Sequence, residues 1–376
     1  MRNILFYLTR YPGVGGIENV TNLIATKLLE KNQVSILSHV QQKDVDSLYG
    51  VSTYFMPDAK RWDAPSNLKF ADSLFATHKF DAIIYQDSYA PTEQIVCSLS
   101  ERYNVSLFVF EHNSPLFIYN KRNLEPITSI KGLMRRILHP YLLYKDVKRK
   151  RYLLKHAKKY ILLSDKFIPE FCRLVGVDKN DPRITYINNP AFLTGSSSVL
   201  EKDNIILCVS RLTREKCVDK MLKMWKIIST DLPDWRFIIV GDGPERSKLE
   251  HYVQANSVQR VKFIGFANPT KYYQKAKIFW MTSKYEGWGM TLIEAMQQGC
   301  VPVAYQTFSS ISDIIDNGNN GFLILPDNMD SFIGKSVLLA KKENLRIEMS
   351  SSAIRKTDNF SIDKIINKWY KLLEYA

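Results

Sequence analysis

KYEGWGMTLIEAMQQGCVPVA, residues Lys284–Ala304, is the stretch on which the reading of the whole chain turns. Glu286 sits on a glycine-rich turn and Glu294 on the helix that follows, with seven residues between them. Gly287 and Gly289 lack the side chains that would hold a ligand away from the backbone. Met290 and Thr291 open the helix, where unpaired N–H groups and the positive end of the dipole suit a phosphate. Acid pairs at this spacing occur in any helix-rich chain. Flanking a glycine turn and a helix start, they describe a polyhydroxylated, phosphorylated ligand held at both ends.

Outward from this stretch the chain alternates strand and helix. Ile205–Ser210, Arg236–Val240, Val261–Gly265, Ile278–Thr282, Val301–Ala304 and Gly321–Leu325 are short apolar runs separated by helix patterns. The first half repeats the scheme with Asn3–Leu8, Gln33–Ser38, Phe80–Gln86, Val105–Phe110, Lys159–Leu163 and Arg183–Ile187, and helices clearest at Glu18–Glu30 and Thr92–Arg102. Such runs fit strands buried on both faces. The fold class is therefore α/β, with two Rossmann-like, doubly wound domains whose ligand lies at the carboxyl ends of the strands, in the cleft between them. Asn189–Asn204, NPAFLTGSSSVLEKDN, has the composition of a linker, and Ile362–Leu373 reads as an amphipathic helix.

At 376 residues the chain can bury two ordinary cores, and 45% hydrophobic content argues for a globular protein. Five scattered cysteines give neither a zinc spacing nor a disulfide framework and fit a reducing compartment. No run approaches the roughly 18 apolar residues of a membrane span, and the opening MRNILFYLTRYPG is too short for a secretory signal. A cytoplasmic protein is expected. The net charge of +14 is uneven: Ile118–Tyr160 carries 13 Lys/Arg against two acids, a net of +11. Within it, KDVKRKRYLLKHAKK and the upstream GLMRRILHPYLLY mix cations with Leu, Ile and Tyr. Such a segment suits an anionic membrane surface, a solvated helix face or a nucleic acid. No nucleic-acid motif accompanies it, so no nucleic-acid partner is expected.

Taken together, the E-x7-E stretch and the later NGNNGFLI resemble the retaining glycosyltransferases of family 4, which have the GT-B fold. The resemblance is dense from about Asn204 to Pro326 and thinner before it. It implies an acceptor-binding domain over 1–190, a linker at 191–203, a donor-binding domain over 204–356, and a helix at 357–376 crossing back to the first domain. SRLTREK, Ser210–Lys216, is similar to the family's GRL-x-x-EKG, which makes Arg211 and Lys216 a cation pair for a diphosphate. In an arbitrary loop they would be two solvated charges. Cys217 stands where the family has glycine, so a different turn is expected there. Gly15 and Gly16 resemble the family's GG-x-E loop opposite the diphosphate. His112, in FVFEHNSP, matches a histidine that contacts the donor sugar, with Glu111 and Asn113 beside it as acceptor contacts. GDGP at Gly241–Pro244 matches an architectural turn, and the backbone near Phe266 lies where family members meet the base. Ser310–Asp313, SISD, departs from the family's G-x-x-E.

The resemblance gives Glu286 the sugar hydroxyls and Glu294 the ribose hydroxyls, with Gly289, Met290 and Thr291 on the phosphates. The implied reaction retains configuration and uses neither metal nor cofactor. No Asp-x-Asp stands where it could hold a divalent ion. The donor would be a nucleotide-sugar, UDP-linked on family frequency. The acceptor would be a glycan or lipid-linked glycan of bacterial polysaccharide or lipopolysaccharide assembly, met at the inner face of the membrane through residues 131–159. A sugar-nucleotide epimerase and a non-catalytic nucleotide-sugar-binding subunit are the competing readings.

Overall fold

The computed structural model describes residues 1–13, 15–42, 45–87, 91–125, 128–193 and 201–374. Much of the expected linker, residues 194–200, lies outside them. The chain divides into two compact units. Unit 1 comprises Met1–Tyr119, Met134–Pro190 and Ile362–Ala376; unit 2 comprises Asn120–Leu133 and Ala191–Ser361. The sequence reading ran its first domain unbroken to residue 190. Residues 120–133 count instead with unit 2, where Glu125 pairs with Arg214.

Unit 1 is built on a parallel sheet of β1 (Asn3–Arg10), β2 (Gln33–Val40), β3 (Ser52–Phe55), β4 (Ala82–Tyr85), β5 (Ser106–Phe110), β6 (Lys159–Leu162) and β7 (Ile184–Tyr186). Their order is β3-β2-β1-β4-β5-β6-β7. β3 and the helix Pro65–Thr77 were missed in the sequence, since STYF is half exposed and lacks a buried run. Unit 2 carries β8 (Asp203–Val209), β9 (Arg236–Val240), β10 (Val261–Gly265), β11 (Ala276–Met281), β12 (Val301–Tyr305) and β13 (Phe322–Ile324), ordered β10-β9-β8-β11-β12-β13 and all parallel. Its core centres on Trp280, whose ring lies 5.3 Å from Phe237 and 5.4 Å from Phe332. In each sheet the chain starts at an interior strand and reverses direction beside it, β1 against β4 and β8 against β11. Such switch points open a crevice at the strands' carboxyl ends.

The helix Ile362–Glu374 packs within unit 1. Trp369 is fully buried with its ring 5.1 Å from Phe110, and the Tyr370 hydroxyl donates to the Lys27 carbonyl at 2.8 Å.

The basic segment forms one long helix, Ile130–His156, and it is two-faced along its length. In the downstream part Leu153 and Leu154 are core residues, and Lys150 is completely buried between Glu111 and Asp146. Lys150 is therefore not a surface cation, contrary to the sequence reading of this run. The apolar residues that reach solvent lie upstream: Ile130, Leu133, Met134, Ile137, Leu138 and Tyr141 are all exposed. Among the described residues no helix is long and apolar enough to cross a membrane.

Candidate active site

In unit 2 the site grows from two loops at neighbouring strand ends. The first is SRLTREK after β8. It is clamped by the GDGP turn after β9: Ser210 N–H donates to Val240 at 3.0 Å, Leu212 N–H to Asp242 at 2.8 Å and Glu245 N–H to Leu212 at 3.0 Å. A β-carbon on Gly241, at φ +132°, would lie 1.9 Å from the Ser210 carbonyl oxygen, so only glycine permits the approach. The second loop follows β11. Lys284 N–H donates to the Glu215 carbonyl at 2.7 Å, and the Thr282 hydroxyl lies 3.0 Å from the carbonyls of both Lys216 and Cys217. Zipped together in this way, the loops bring Lys216 Nζ within 2.5 Å of Glu286 Oε1. Both side chains are largely shielded, at 16% and 14% exposure, so their charges act through little solvent.

Cys217 adopts φ 51° and ψ 40°, the left-handed conformation that glycine ordinarily supplies. The turn is kept despite the substitution. SISD also has a structural part: Ser310 is buried, and its hydroxyl lies 3.4 Å from the Gly287 carbonyl on the glycine turn.

The helix Met290–Gln297 starts at Gly289, which sits at φ 79° and has no side-chain cap. The N–H groups of Met290 and Thr291 fall in its first turn, where intrahelical acceptors are lacking. Glu294 lies on this helix, half buried. Burial pushes its carboxyl up to about 7, against the pull of the Tyr273 hydroxyl, which donates to Oε2 at 2.8 Å. Sequence reasoning missed Tyr273, because KYYQK carries no chemical pattern. Arg211 is exposed, Phe266 is 80% exposed beyond β10, and among the described residues no bond ties either to the two acids.

In unit 1 the corresponding strand ends hold a different kind of cluster. Gly15 precedes the helix Gly16–Leu29 in extended backbone. A β-carbon on it would lie 2.3 Å from Glu18 Oε2, whereas one on Gly16 would meet nothing within 4 Å among the described residues. Gly16 is thus open to a ligand, and the space at Gly15 belongs to Glu18. His112, two residues beyond β5, packs against Phe110 with ring centroids 4.3 Å apart and the planes tilted by 58°, and burial pushes it down to about 3. Its Nε2 is 3.2 Å from Gln86 Oε1, which is also 2.6 Å from Thr21 Oγ1. Glu111 points the other way, fully buried. It accepts from Tyr160 at 2.6 Å and pairs with Lys150 at 3.1 Å, a structural role rather than an acceptor contact. Asn113 is half exposed. Asp87, next to Gln86, accepts from Thr9 N–H and is pushed by burial up to about 6. Neither Gln86 nor Asp87 was singled out in the sequence.

Two Rossmann-like units with parallel sheets, each with a polar cluster at its switch point, define the GT-B class of fold. Solved GT-B structures share it: HepE from Anabaena, in complex with UDP and glucose, has a TM-score of 0.74 at 17% identity over 100% of both chains. Residues 194–356 match the family model described as Glycosyl transferases group 1. An uncharacterized glycosyltransferase of Haemophilus influenzae is 30% identical over 193 residues, 50% of this chain and 55% of that one. A Campylobacter jejuni N-acetylgalactosaminyltransferase, named for an undecaprenol-linked glycan, is 28% identical over 51% of this chain and 54% of its own. The chain thus spans about half the length of these curated relatives.

Proposed function

We propose that the protein is a retaining glycosyltransferase of family 4 that moves a sugar from a UDP-linked donor to a glycan or lipid-linked glycan, without a metal. The Lys216–Glu286 pair beside the start of Met290–Gln297, where Gly289 makes no side-chain cap, carries this reading, because a cation and an acid lie next to the N–H groups of a helix's first turn. Lys216, Arg211 and the N–H groups of Met290 and Thr291 neutralise the departing diphosphate. Glu286 accepts hydrogen bonds from sugar hydroxyls. Glu294, held by Tyr273 through one oxygen, turns the other to the ribose. The resemblance further assigns Gly16 and His112 to the donor and the backbone near Phe266 to the base. The acceptor oxygen attacks the anomeric carbon on the face the diphosphate leaves: the bond to phosphate oxygen breaks, the bond to acceptor oxygen forms, and the acceptor's proton passes to the diphosphate. The named relatives are transferases, which favours transfer over epimerisation or a silent binding subunit.

The exposed apolar residues of Ile130–Tyr144 and the cations along the same helix support an acceptor met at the cytoplasmic face of an anionic membrane. The decisive assay is release of nucleoside diphosphate from a panel of UDP- and GDP-sugars in chelator, with and without bacterial lipid extract. Release specific to one UDP-sugar and dependent on lipid is expected. Tight nucleotide binding with no release from any donor would overturn the reading. Flotation with anionic vesicles at low salt should carry the parent protein and lose it on Ile137→Ser/Tyr141→Ser substitution. Equal flotation of both would remove the membrane face.

A further inference from the structure

Three elements of unit 1 meet at His112. Thr21 comes from the helix Gly16–Leu29, Gln86 from the end of β4 and His112 from the end of β5. One amide atom of Gln86 contacts both Thr21 Oγ1, at 2.6 Å, and His112 Nε2, at 3.2 Å. Among the described residues, the other amide atom of Gln86 and His112 Nδ1 are both buried with no hydrogen-bond partner. The oxygen and nitrogen of an amide occupy interchangeable places, so the hydrogen count decides which is which.

Thr21 has a single hydroxyl hydrogen. Its Oγ1 also lies 2.8 Å from the Ile17 carbonyl, which can only accept. The hydroxyl therefore donates to Ile17 and must accept from Gln86, which puts the amide nitrogen between Thr21 and His112. That NH2 has two hydrogens, one for Thr21 Oγ1 and one for His112 Nε2. Nε2 is then an acceptor. Because burial keeps the ring neutral, its one proton resides on Nδ1.

We infer that Thr21 and Gln86 are positioning residues that lock His112 in its Nδ1–H tautomer, so that the ring presents a buried hydrogen-bond donor to an oxygen of the donor sugar. The ligand half of this inference rests on the transferase reading; the tautomer does not. A buried N–H without an acceptor is unfavourable, and a bound sugar oxygen would satisfy it. The cluster is held from the other side as well, since Glu111 next to His112 is fixed by Tyr160 and Lys150.

Nitrogen-15 imidazole spectra of the full chain, with His112 assigned from its loss in His112→Gln, test the lock directly. A protonated Nδ1 and unprotonated Nε2 are expected in the parent protein, with that preference lost in Gln86→Leu and in Thr21→Val. A protonated Nε2 in the parent, or an unchanged tautomer in both variants, overturns it. Binding of UDP and of the UDP-sugar that supports release then tests the ligand. Gln86→Leu should weaken the UDP-sugar about tenfold, the loss of one hydrogen bond, and leave UDP unchanged. Equal weakening of both would make Gln86 merely structural. A parent that binds UDP and every UDP-sugar alike would sink the transferase reading and the sugar contact together, with the tautomer decided by its own spectrum.

Discussion

The two sheets end in opposite kinds of chemistry. In unit 2 the charges at the switch point are partly open, belong to two short stretches of sequence, and are set by backbone bonds between loops: Lys216 and Glu286 retain 16% and 14% exposure. In unit 1 the polar groups are drawn from residues 21, 86, 111, 112, 146, 150 and 160. All but the half-buried His112 sit deep in the packing, with Lys150 and Glu111 at 0%. Charges left partly in water can be spared by the fold and used by a ligand. Charges sealed in the interior are held by one another, so removing one strands the rest. Substituting the charges of unit 2 should therefore cost function, and substituting the sealed charges of unit 1, Glu111, Asp146 and Lys150, should cost stability.

The largest test of this contrast is Lys150→Met. It leaves Glu111 and Asp146 buried without their shared cation, and breaking such a pair costs about 3–5 kcal/mol. Urea unfolding should show the transition of unit 1 moving to markedly lower denaturant. Lys216→Met is the mirror experiment: little change in unfolding, but a drop in turnover of roughly 10²–10³-fold, the usual cost of losing one group that stabilises developing charge. Equal stability loss in the two variants, or full turnover without Lys216, would break the comparison.

Next in size is a pH effect within unit 2. Glu294 has its carboxyl raised by burial from 4.5 to about 7, so the folded protein holds the proton more tightly than the unfolded chain. Its contribution to stability therefore falls as pH rises through that window. Nucleotide affinity should move oppositely, rising through about pH 7 as the ionised carboxylate becomes able to accept ribose hydroxyls. Glu294→Gln should flatten the affinity profile while sparing the fold. A parent profile flat from pH 5.5 to 8 would take the ribose role from Glu294.

The same contrast explains what could be read in advance. The strand–helix alternation announced both sheets, because strands covered on both faces must be apolar runs such as NILFYL and IILCV. Half-exposed β3 gave no such signal. In unit 2 the loop residues are local: Glu286 and Glu294 share one helix-and-turn signature, and SRLTREK follows its strand directly. Tyr273 escaped because its tie to Glu294 bridges 21 residues. In unit 1 the ties span 65 residues from Thr21 to Gln86 and 26 from Gln86 to His112, and only the sheet order brings them together. Composition also misplaced Lys150 within the cationic run, since a lysine sealed between two acids is written with the same letter as one in solvent.

The smallest expected effect comes from two residues of unit 2 in the same left-handed conformation, Cys217 at φ 51° and Gly289 at φ 79°. A side chain in this region costs about 1–2 kcal/mol. Cys217 carries that strain and offsets it by burying its thiol, whose sulfur lies 3.3 Å from the Arg214 carbonyl. Cys217→Gly relieves the strain, loses the buried sulfur and frees the unfolded chain by about 0.5–1 kcal/mol, so the terms nearly cancel. Unfolding midpoints of this variant and the parent should agree closely, with turnover intact. Gly289→Ala has no such offset: its β-carbon would press within 3.2 Å of Leu292 at the first turn of the helix that carries Glu294. That change should cost stability and weaken UDP together. If Cys217→Gly proves as damaging as Gly289→Ala, the thiol itself and not the backbone angle holds the SRLTREK loop, and the loop's geometry must be assigned to its side chains.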